Sequence, residues 1–196
     1  MKNRCGTAVA AVAAAQLAAC SAMPPSAPGA ATPADGSAVA VREDLSGRFI
    51  AVIGPRIRDD PPSFDTPGTN YSCLRSFIDR RTGETAHQLY VAASYGFNHD
   101  WTTAHDGAGR ILPFIRISRF EIACDSKHNC SYAEEFAAKF QEKELTQNPH
   151  GFSVTFTDRA RNAQTIMVSP DQITAQLAAL APLQSSAPPA SPAAAR

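Results

Sequence analysis

Apolar and polar residues alternate through much of the middle of the chain, and this pattern predicts β-strands. Residues 71–79 and 86–94 place apolar side chains at alternate positions, and Gly83 lies in the short polar stretch between them. A period of two is typical of a strand that buries one face, and a short connection containing glycine is typical of a hairpin turn. The same pattern predicts a strand at residues 48–53 and a second hairpin from residues 152–156 and 165–168.

Residues 111–124 form the longest strand candidate, but their apolar positions change parity. Ile115 and Ile117 occupy odd positions, whereas Phe120 and Ile122 occupy even ones. Because side chains alternate between the two faces of a strand, this change predicts a bulge or a strand that passes from one sheet to another.

Residues 131–141 fit two structures. Tyr132, Phe136 and Phe140 recur at every fourth position, which suits a helix, and Glu, Ala and Lys favour a helix by propensity. The same positions also share one face of a strand, and a cysteine pair just before the segment favours a hairpin. We predict a strand here.

A helix is predicted after the last strand. Ser169 suits the N-cap, Pro170 suits the first helical position, and Gln172 completes a capping box. Pro182 is expected to end the helix. The buried face should consist of residues three or four positions apart, which are Ile173, Leu177 and Leu180.

The remaining segments are predicted as loops, including the proline-rich residues 56–69 and the polar residues 96–110 around Trp101. About seven strands then follow one another without intervening helices, which implies antiparallel pairing. The fold is therefore predicted to be mainly β: an antiparallel β-sandwich or partly open barrel with one C-terminal α-helix.

The N-terminal residues have the three parts of a secretory signal: Lys2 and Arg4, then an apolar run too short to span a membrane, then small residues. The tetrapeptide Leu17-Ala18-Ala19-Cys20 resembles the lipobox of bacterial lipoproteins. The resemblance implies removal of residues 1–19, acylation of Cys20 and anchoring in the cell envelope. Because Ser21 rather than Asp follows the cysteine, it also implies the outer membrane, facing the periplasm.

Composition divides the rest of the chain. Residues 20–38 and residues 184–196 are rich in Ala, Pro and Ser, so they are predicted to be a disordered tether and a disordered tail. Residues 39–183 are predicted to form a single β-rich domain.

Charge argues against nucleic acid as a partner. The chain has 18 basic and 18 acidic residues, and removal of Lys2 and Arg4 with the signal leaves 16 basic residues. There is no positive excess to neutralise phosphates. The expected partners are instead the membrane, through the lipid anchor, and another envelope protein.

Three cysteines remain after signal removal and acylation: Cys73, Cys124 and Cys130. If the strands around residues 124 and 130 form a hairpin, Cys124 and Cys130 face each other, which predicts a disulfide in an oxidising compartment. One alternative is a metal site with His128, which supplies only three ligands. The other is pairing of Cys73 with one of the two.

Two His-Asp pairs lie in the predicted loop around Trp101. His99, Asp100, His105 and Asp106 are weak candidates for a metal or small-ligand site, and the alternative is an exposed polar loop. No catalytic residue and no cofactor are predicted. Ser94 lies in a sequence loosely similar to a nucleophile elbow, but the helix that this motif requires does not follow it.

Together these patterns predict a non-enzymatic interaction or assembly module on an envelope lipoprotein. The alternative is a periplasmic metal or small-ligand binding module that uses the loop from His99 to Asp106.

The anchor prediction is tested by Cys20→Ala, with Cys5→Ala as the matched control because Cys5 leaves with the signal peptide. The Cys20→Ala protein should lose metabolic labelling with radioactive palmitate and move from the membrane to the soluble fraction, whereas Cys5→Ala should keep both properties. A Cys20→Ala protein that stays labelled and membrane-bound would contradict the prediction.

Overall fold

The structure is a computed structural model that describes residues 38–58, 69–127 and 130–185. Eleven strands and two helices lie in these ranges. The strands are β1 (Ala40–Glu43), β2 (Phe49–Ile53), β3 (Ile57–Arg58), β4 (Tyr71–Asp79), β5 (Thr85–Tyr95), β6 (Trp101–Asp106), β7 (Ile111–Leu112), β8 (Phe114–Cys124), β9 (Cys130–Phe140), β10 (Phe152–Asp158) and β11 (Ala163–Val168), and the helices are α1 (Glu142–Gln147) and α2 (Pro170–Ser185). The predicted signal peptide, Cys20, residues 20–37 of the predicted tether, His128 and residues 186–196 lie outside the described ranges.

The strands form two antiparallel sheets, so the predicted mainly β fold is confirmed. The larger sheet has the order β1-β2-β4-β5-β9-β8, with β3 added beside β4. The smaller sheet has the order β11-β10-β6-β7, and the arrangement is open rather than a closed barrel.

The main core lies between the facing sides of the two sheets. Leu89 and Val91 of β5 and Phe136 of β9 contribute from the larger sheet, while Val154 and Phe156 of β10 contribute from the smaller one. The Phe136 and Phe156 rings meet edge to face, with centroids 4.8 Å apart. Such aromatic pairs add about 1 kcal/mol to the stabilisation that comes from burying their apolar area.

Helix α2 covers the part of the larger sheet that the smaller sheet leaves open. Its Leu180 packs against Val52 of β2 and Ile78 of β4. The predicted capping box is confirmed: the Gln172 N–H donates to Ser169 Oγ at 3.2 Å, and the Ser169 N–H donates to Gln172 Oε1 at 3.0 Å.

The helix continues through Pro182 and ends at Ser185, so the predicted end at Pro182 is wrong. A proline inside a helix removes one backbone hydrogen bond. Leu180 and Leu183, on either side of it, both pack on the Val52–Ile78 cluster, and this burial holds the last turn in place.

The change of parity in residues 111–124 has both predicted causes. β7 pairs with β6 in the smaller sheet, whereas β8 pairs with β9 in the larger one. Within β8 the register shifts twice, between Arg116 and Ser118 and between Glu121 and Ala123. The chain therefore changes sheet at Pro113 and then bulges at Ile117 and Ile122.

Two further predictions have opposite outcomes. Residues 130–140 are the strand β9, as predicted, because β9 pairs with both β5 and β8. The predicted loop at residues 96–110 is wrong, since it contains β6, which pairs with β10 on one side and β7 on the other. β6 buries Trp101 and Ala104, too few apolar residues to show alternation. The short helix α1 was not predicted.

Cys124 and Cys130 are paired residues at the end of the β8–β9 hairpin, and they form a disulfide in the structure. Cys73 is a free thiol buried on β4. Burial raises the pKa of the Cys73 thiol, and nearby Arg75 only partly opposes this, so the thiolate is disfavoured.

Replacing both hairpin cysteines, as Cys124→Ser with Cys130→Ser, should lower the free energy of unfolding by about 2 kcal/mol, because the closed loop is short. The measurement is urea denaturation monitored by circular dichroism. Under strong reductant the wild type should lose the same amount and the double variant nothing further. Equal stability of the two oxidised proteins would contradict the prediction.

Candidate functional site

β6 separates the four predicted ligand residues into two pairs. His99 and Asp100 precede the strand, whereas His105 and Asp106 are its last two residues. A strand of six residues is roughly 20 Å long. A single ion therefore does not reach all four side chains, and the structure does not bring them together.

His99 lies in a polar and aromatic cluster at the start of β6. Its Nδ1 is 2.9 Å from Asp158 Oδ2, and its ring stacks on that of Trp101 with centroids 4.8 Å apart. Burial raises the pKa of the Asp158 carboxyl, but hydrogen bonds from Asn162 and His99 outweigh it and leave the pKa below its usual value. Asp158 is therefore an ionised partner that orients the His99 ring.

Asp100 binds three guanidinium groups. Arg159 Nε lies 2.7 Å from Asp100 Oδ2, Arg119 Nη1 lies 3.4 Å from Oδ1, and Arg116 Nη2 also bonds to Oδ1. Asp100 has a positive φ of 54°, which is uncommon for residues other than glycine. We call Asp100 and these three arginines the Asp100 latch.

Glu134 supports the backbone of the latch. Its carboxylate accepts the N–H of His99 at 3.0 Å and the N–H of Asp100 at 3.3 Å. Arg116 and Arg119 of β8 lie beside β9, which carries Glu134 and Glu135, and opposite charges on neighbouring strands attract each other. Arg119 does lie opposite Glu134 in the register, but Glu134 is buried and already bound to backbone, so the arginines extend to Asp100 instead.

The latch joins the two sheets at one side of the molecule. Arg116 and Arg119 belong to β8 of the larger sheet, while Asp100 and Arg159 flank β6 and β10 of the smaller sheet. With three guanidinium groups and one carboxylate, the latch has a net charge of about two positive charges. Arg159 is the most exposed member, with 77% of its side chain accessible.

Ser76 and His87 form a second polar arrangement, which the sequence analysis missed. Ser76 Oγ lies 2.9 Å from His87 Nδ1 and accepts a hydrogen bond from Gln176 Nε2 at 2.8 Å. The Ser76 hydroxyl therefore joins β5 to α2, and the other ring nitrogen of His87, Nε2, lies 3.6 Å from Glu142 Oε2. The register of the predicted hairpin around Gly83 contained the signal, because it places Ser76 opposite His87.

The order Ser76, His87 and Glu142 resembles a serine-histidine-acid relay, but its position does not suit catalysis. Ser76 is 1% exposed and His87 is 2% exposed, both beneath α2. Ser94 is also buried, where its N–H donates to Asn70 Oδ1 at 2.9 Å. These groups tie strands together and do not face a substrate.

Glu121, Cys124 and Cys130 bring potential ligand atoms within 4.8 Å of one another. Because the two sulfur atoms form the disulfide, they are not thiolates. Only the Glu121 carboxylate then remains as a ligand, and a single carboxylate does not supply the three or four protein ligands of a typical metal site.

A long groove lies at the other end of the smaller sheet, beside α1. It consists of a larger cavity of about 790 Å³ and a smaller one of about 270 Å³. Both cavities are lined by Arg110, Leu112, Phe140 and Glu144. Of the four predicted ligand residues, Asp106 is the one that lines this groove, which we call the α1 groove.

Arg110 lines both cavities of the α1 groove and faces two carboxylates. Its Nε lies 2.6 Å from Asp106 Oδ2, and its Nη2 lies 3.5 Å from Glu144 Oε1. Asp106 Oδ1 also accepts the N–H groups of Ala108 and Arg110. Both carboxylates therefore have hydrogen-bond partners within the protein, and Leu112 and Phe140 supply an apolar floor to both cavities.

Comparison with known proteins gave no matching family model, no matching curated protein and no matching solved structure. Within residues 38–58, 69–127 and 130–185, neither helix has the length and apolar character needed to cross a membrane.

Acidification should destabilise the fold through His87. Burial lowers the pKa of His87, although the charge of Glu142 opposes this. The unfolded chain, with an ordinary histidine pKa of about 6.5, then binds more protons than the folded one. The free energy of unfolding should therefore fall as the pH drops below about 6.5.

His87→Gln should remove this part of the pH dependence, at a cost of about 1–3 kcal/mol at neutral pH for the disturbed network. The exposed His150 supplies the control variant, His150→Gln, which should retain the wild-type pH dependence. The measurement is urea denaturation between pH 7.5 and 5. If His87→Gln and His150→Gln lose stability equally over that range, the role assigned to His87 is wrong.

Proposed function

We propose that this chain is a lipid-anchored envelope protein whose β domain binds, without catalysis, an extended acidic segment of another envelope protein. The resemblance of Leu17–Cys20 to a lipobox supports the location. The observation that carries the binding proposal is the edge of β8. This strand has 11 residues and pairs only with β9 among the described elements, while Ile117 and Phe120 stay exposed.

The β8 edge is held rigid before any partner binds. β9 pairs along one side of β8, the disulfide closes the end of the hairpin, and Arg116 and Arg119 join the strand to Asp100. A preorganised surface loses little conformational entropy on binding. An extended segment adding to such an edge gains main-chain hydrogen bonds, and alternate side chains provide selectivity.

The two bulges of β8 limit how a partner pairs. Ile117 and Ile122 interrupt the ladder, so Ser118 to Glu121 is the regular stretch between them. Bulges normally protect an edge from unselective aggregation. They restrict an added strand to a short register, in which the side chains of Ile117 and Phe120 supply the apolar contacts.

Charge favours an acidic partner segment. The Asp100 latch lies beside β8 and has about two net positive charges, and its arginine side chains are 37–77% exposed. Complementary charge speeds association and excludes basic partners. The proposal is non-enzymatic because the two serines that resemble nucleophiles, Ser76 and Ser94, are at most 1% exposed.

The test places a photo-cross-linking amino acid at position 120 of the full chain in cells, with position 45 as the matched control. Leu45 is fully exposed in the turn after β1. Position 120 should capture one envelope protein through an acidic segment, and position 45 should not capture it. Equal capture at both positions, or capture through a basic or helical segment, would contradict the proposal.

A peptide copied from the captured segment then separates docking from chance proximity. Phe120→Asp should weaken its binding to the purified protein by about tenfold or more, because the aspartate removes an apolar contact and repels an acidic segment. Leu45→Asp should leave the affinity unchanged. Equal affinities for the two variants would exclude β8 as the binding edge.

A further inference from the structure

We infer that the α1 groove binds an anionic single-chain amphiphile, that is, one alkyl chain with a carboxylate or phosphate head group. This site lies at the opposite end of β6 from the Asp100 latch and is independent of docking at β8. The larger cavity, at about 790 Å³, is within the range of small-molecule sites.

Two unpaired cations mark the head-group end. Lys139 and Lys143 both line the smaller cavity and are exposed. Neither has an ion-pair partner in the part of the chain that the structure describes. Glu144, which also lines this cavity, already accepts the Gln141 N–H at 2.8 Å and faces Arg110. Arg110 balances only one of the two carboxylates that it faces, Asp106 and Glu144. With Lys139 and Lys143 counted, the charged residues that line the two cavities therefore have about one net positive charge.

An apolar floor leads away from these lysines. Leu112 and Phe140 line both cavities, and Phe152 and Met167 continue the apolar surface into the larger one. The Phe140 and Phe152 rings pack edge to face with centroids 5.6 Å apart, which fixes the shape of the floor. Met167 is 63% exposed on this surface.

The combination of charge and floor selects the ligand class. A free phosphate pairs with the lysines but leaves the exposed part of the floor, mainly Met167, in water, since Leu112 and Phe140 are already buried. A neutral alkyl chain covers Met167 but leaves the lysines without a counter-ion. A chain with an anionic head satisfies both parts, because apolar burial and charge pairing act on the same molecule.

The binding test uses the full chain with Cys20→Ala, so that no attached acyl chain competes, and isothermal titration at low salt with dodecanoate below its micellar range. Dodecyl phosphate should also bind, because the site is expected to recognise the charge of the head group rather than its identity. Monododecanoyl glycerol, which has no charge, should bind at least about tenfold more weakly than dodecanoate. Affinity for dodecanoate should fall with added salt. Absence of saturable binding, or equal affinity for the neutral glyceride, would overturn the inference.

Matched variants locate the site. Lys139→Gln with Lys143→Gln should weaken dodecanoate binding by about five- to tenfold. Lys127→Gln with Arg81→Gln removes two exposed charges elsewhere and should leave the affinity unchanged. Met167→Asp should also weaken dodecanoate binding, because it replaces an apolar residue of the floor with a negative charge. Leu45→Asp, which lies outside the groove, should leave the affinity unchanged. Equal affinities for the two charge-loss variants, with unchanged melting temperatures, would exclude the α1 groove.

Labelled methionine methyl groups give a second measurement. The full chain has three methionines, Met1, Met23 and Met167. On titration with dodecanoate, the Met167 methyl resonance should shift in a saturable way, while the Met23 resonance should stay fixed. A ligand that binds without moving the Met167 resonance occupies another surface and would overturn the assignment.

Discussion

The contact between Phe136 of β9 and Phe156 of β10 is the centre on which the architecture depends. These rings belong to different sheets and meet with centroids 4.8 Å apart, so the two sheets share one core. Neither sheet is stable alone with an exposed apolar face. Because the arrangement is open, its sides must be closed by other means: α2 covers β2 and β4, and the Asp100 latch joins β8 to the smaller sheet.

The two closures use different chemistry. Beneath α2, the buried Ser76 hydroxyl bonds to both His87 and Gln176, and Leu180 of the helix packs on Val52 and Ile78. The latch instead uses exposed guanidinium groups around one carboxylate. Each of these exposed ion pairs contributes less to the stability of the fold than a buried contact does, but the arginines remain accessible to solvent. The side closed by apolar packing is thus buried, whereas the side closed by charge is exposed to solvent, and it is this exposed side on which the proposed docking at β8 relies.

The candidate sites were only partly predictable. The two His-Asp pairs, His99–Asp100 and His105–Asp106, are close in sequence and were therefore predicted to form one site. Strand β6 places the two pairs at its opposite ends. Asp100 became the centre of the latch because Arg116 and Arg119 reach it from the other sheet, and Asp106 became part of the α1 groove. Both outcomes depend on how distant strands are placed, which spacing along the chain does not report.

The sequence by itself determined the elements whose signals are local. Alternation predicted β4 and β5, the neighbouring cysteine pair favoured a strand at β9, glycine marked the hairpin turn, and the Ser169–Gln172 capping box marked the start of α2. Only the tertiary structure decided that residues 101–106 are a strand, that α2 passes Pro182 and that Glu134 turns from arginine to backbone. The reason is the same in each instance: burial between elements far apart in the chain outweighs local preference, and that burial exists only once the two sheets have packed.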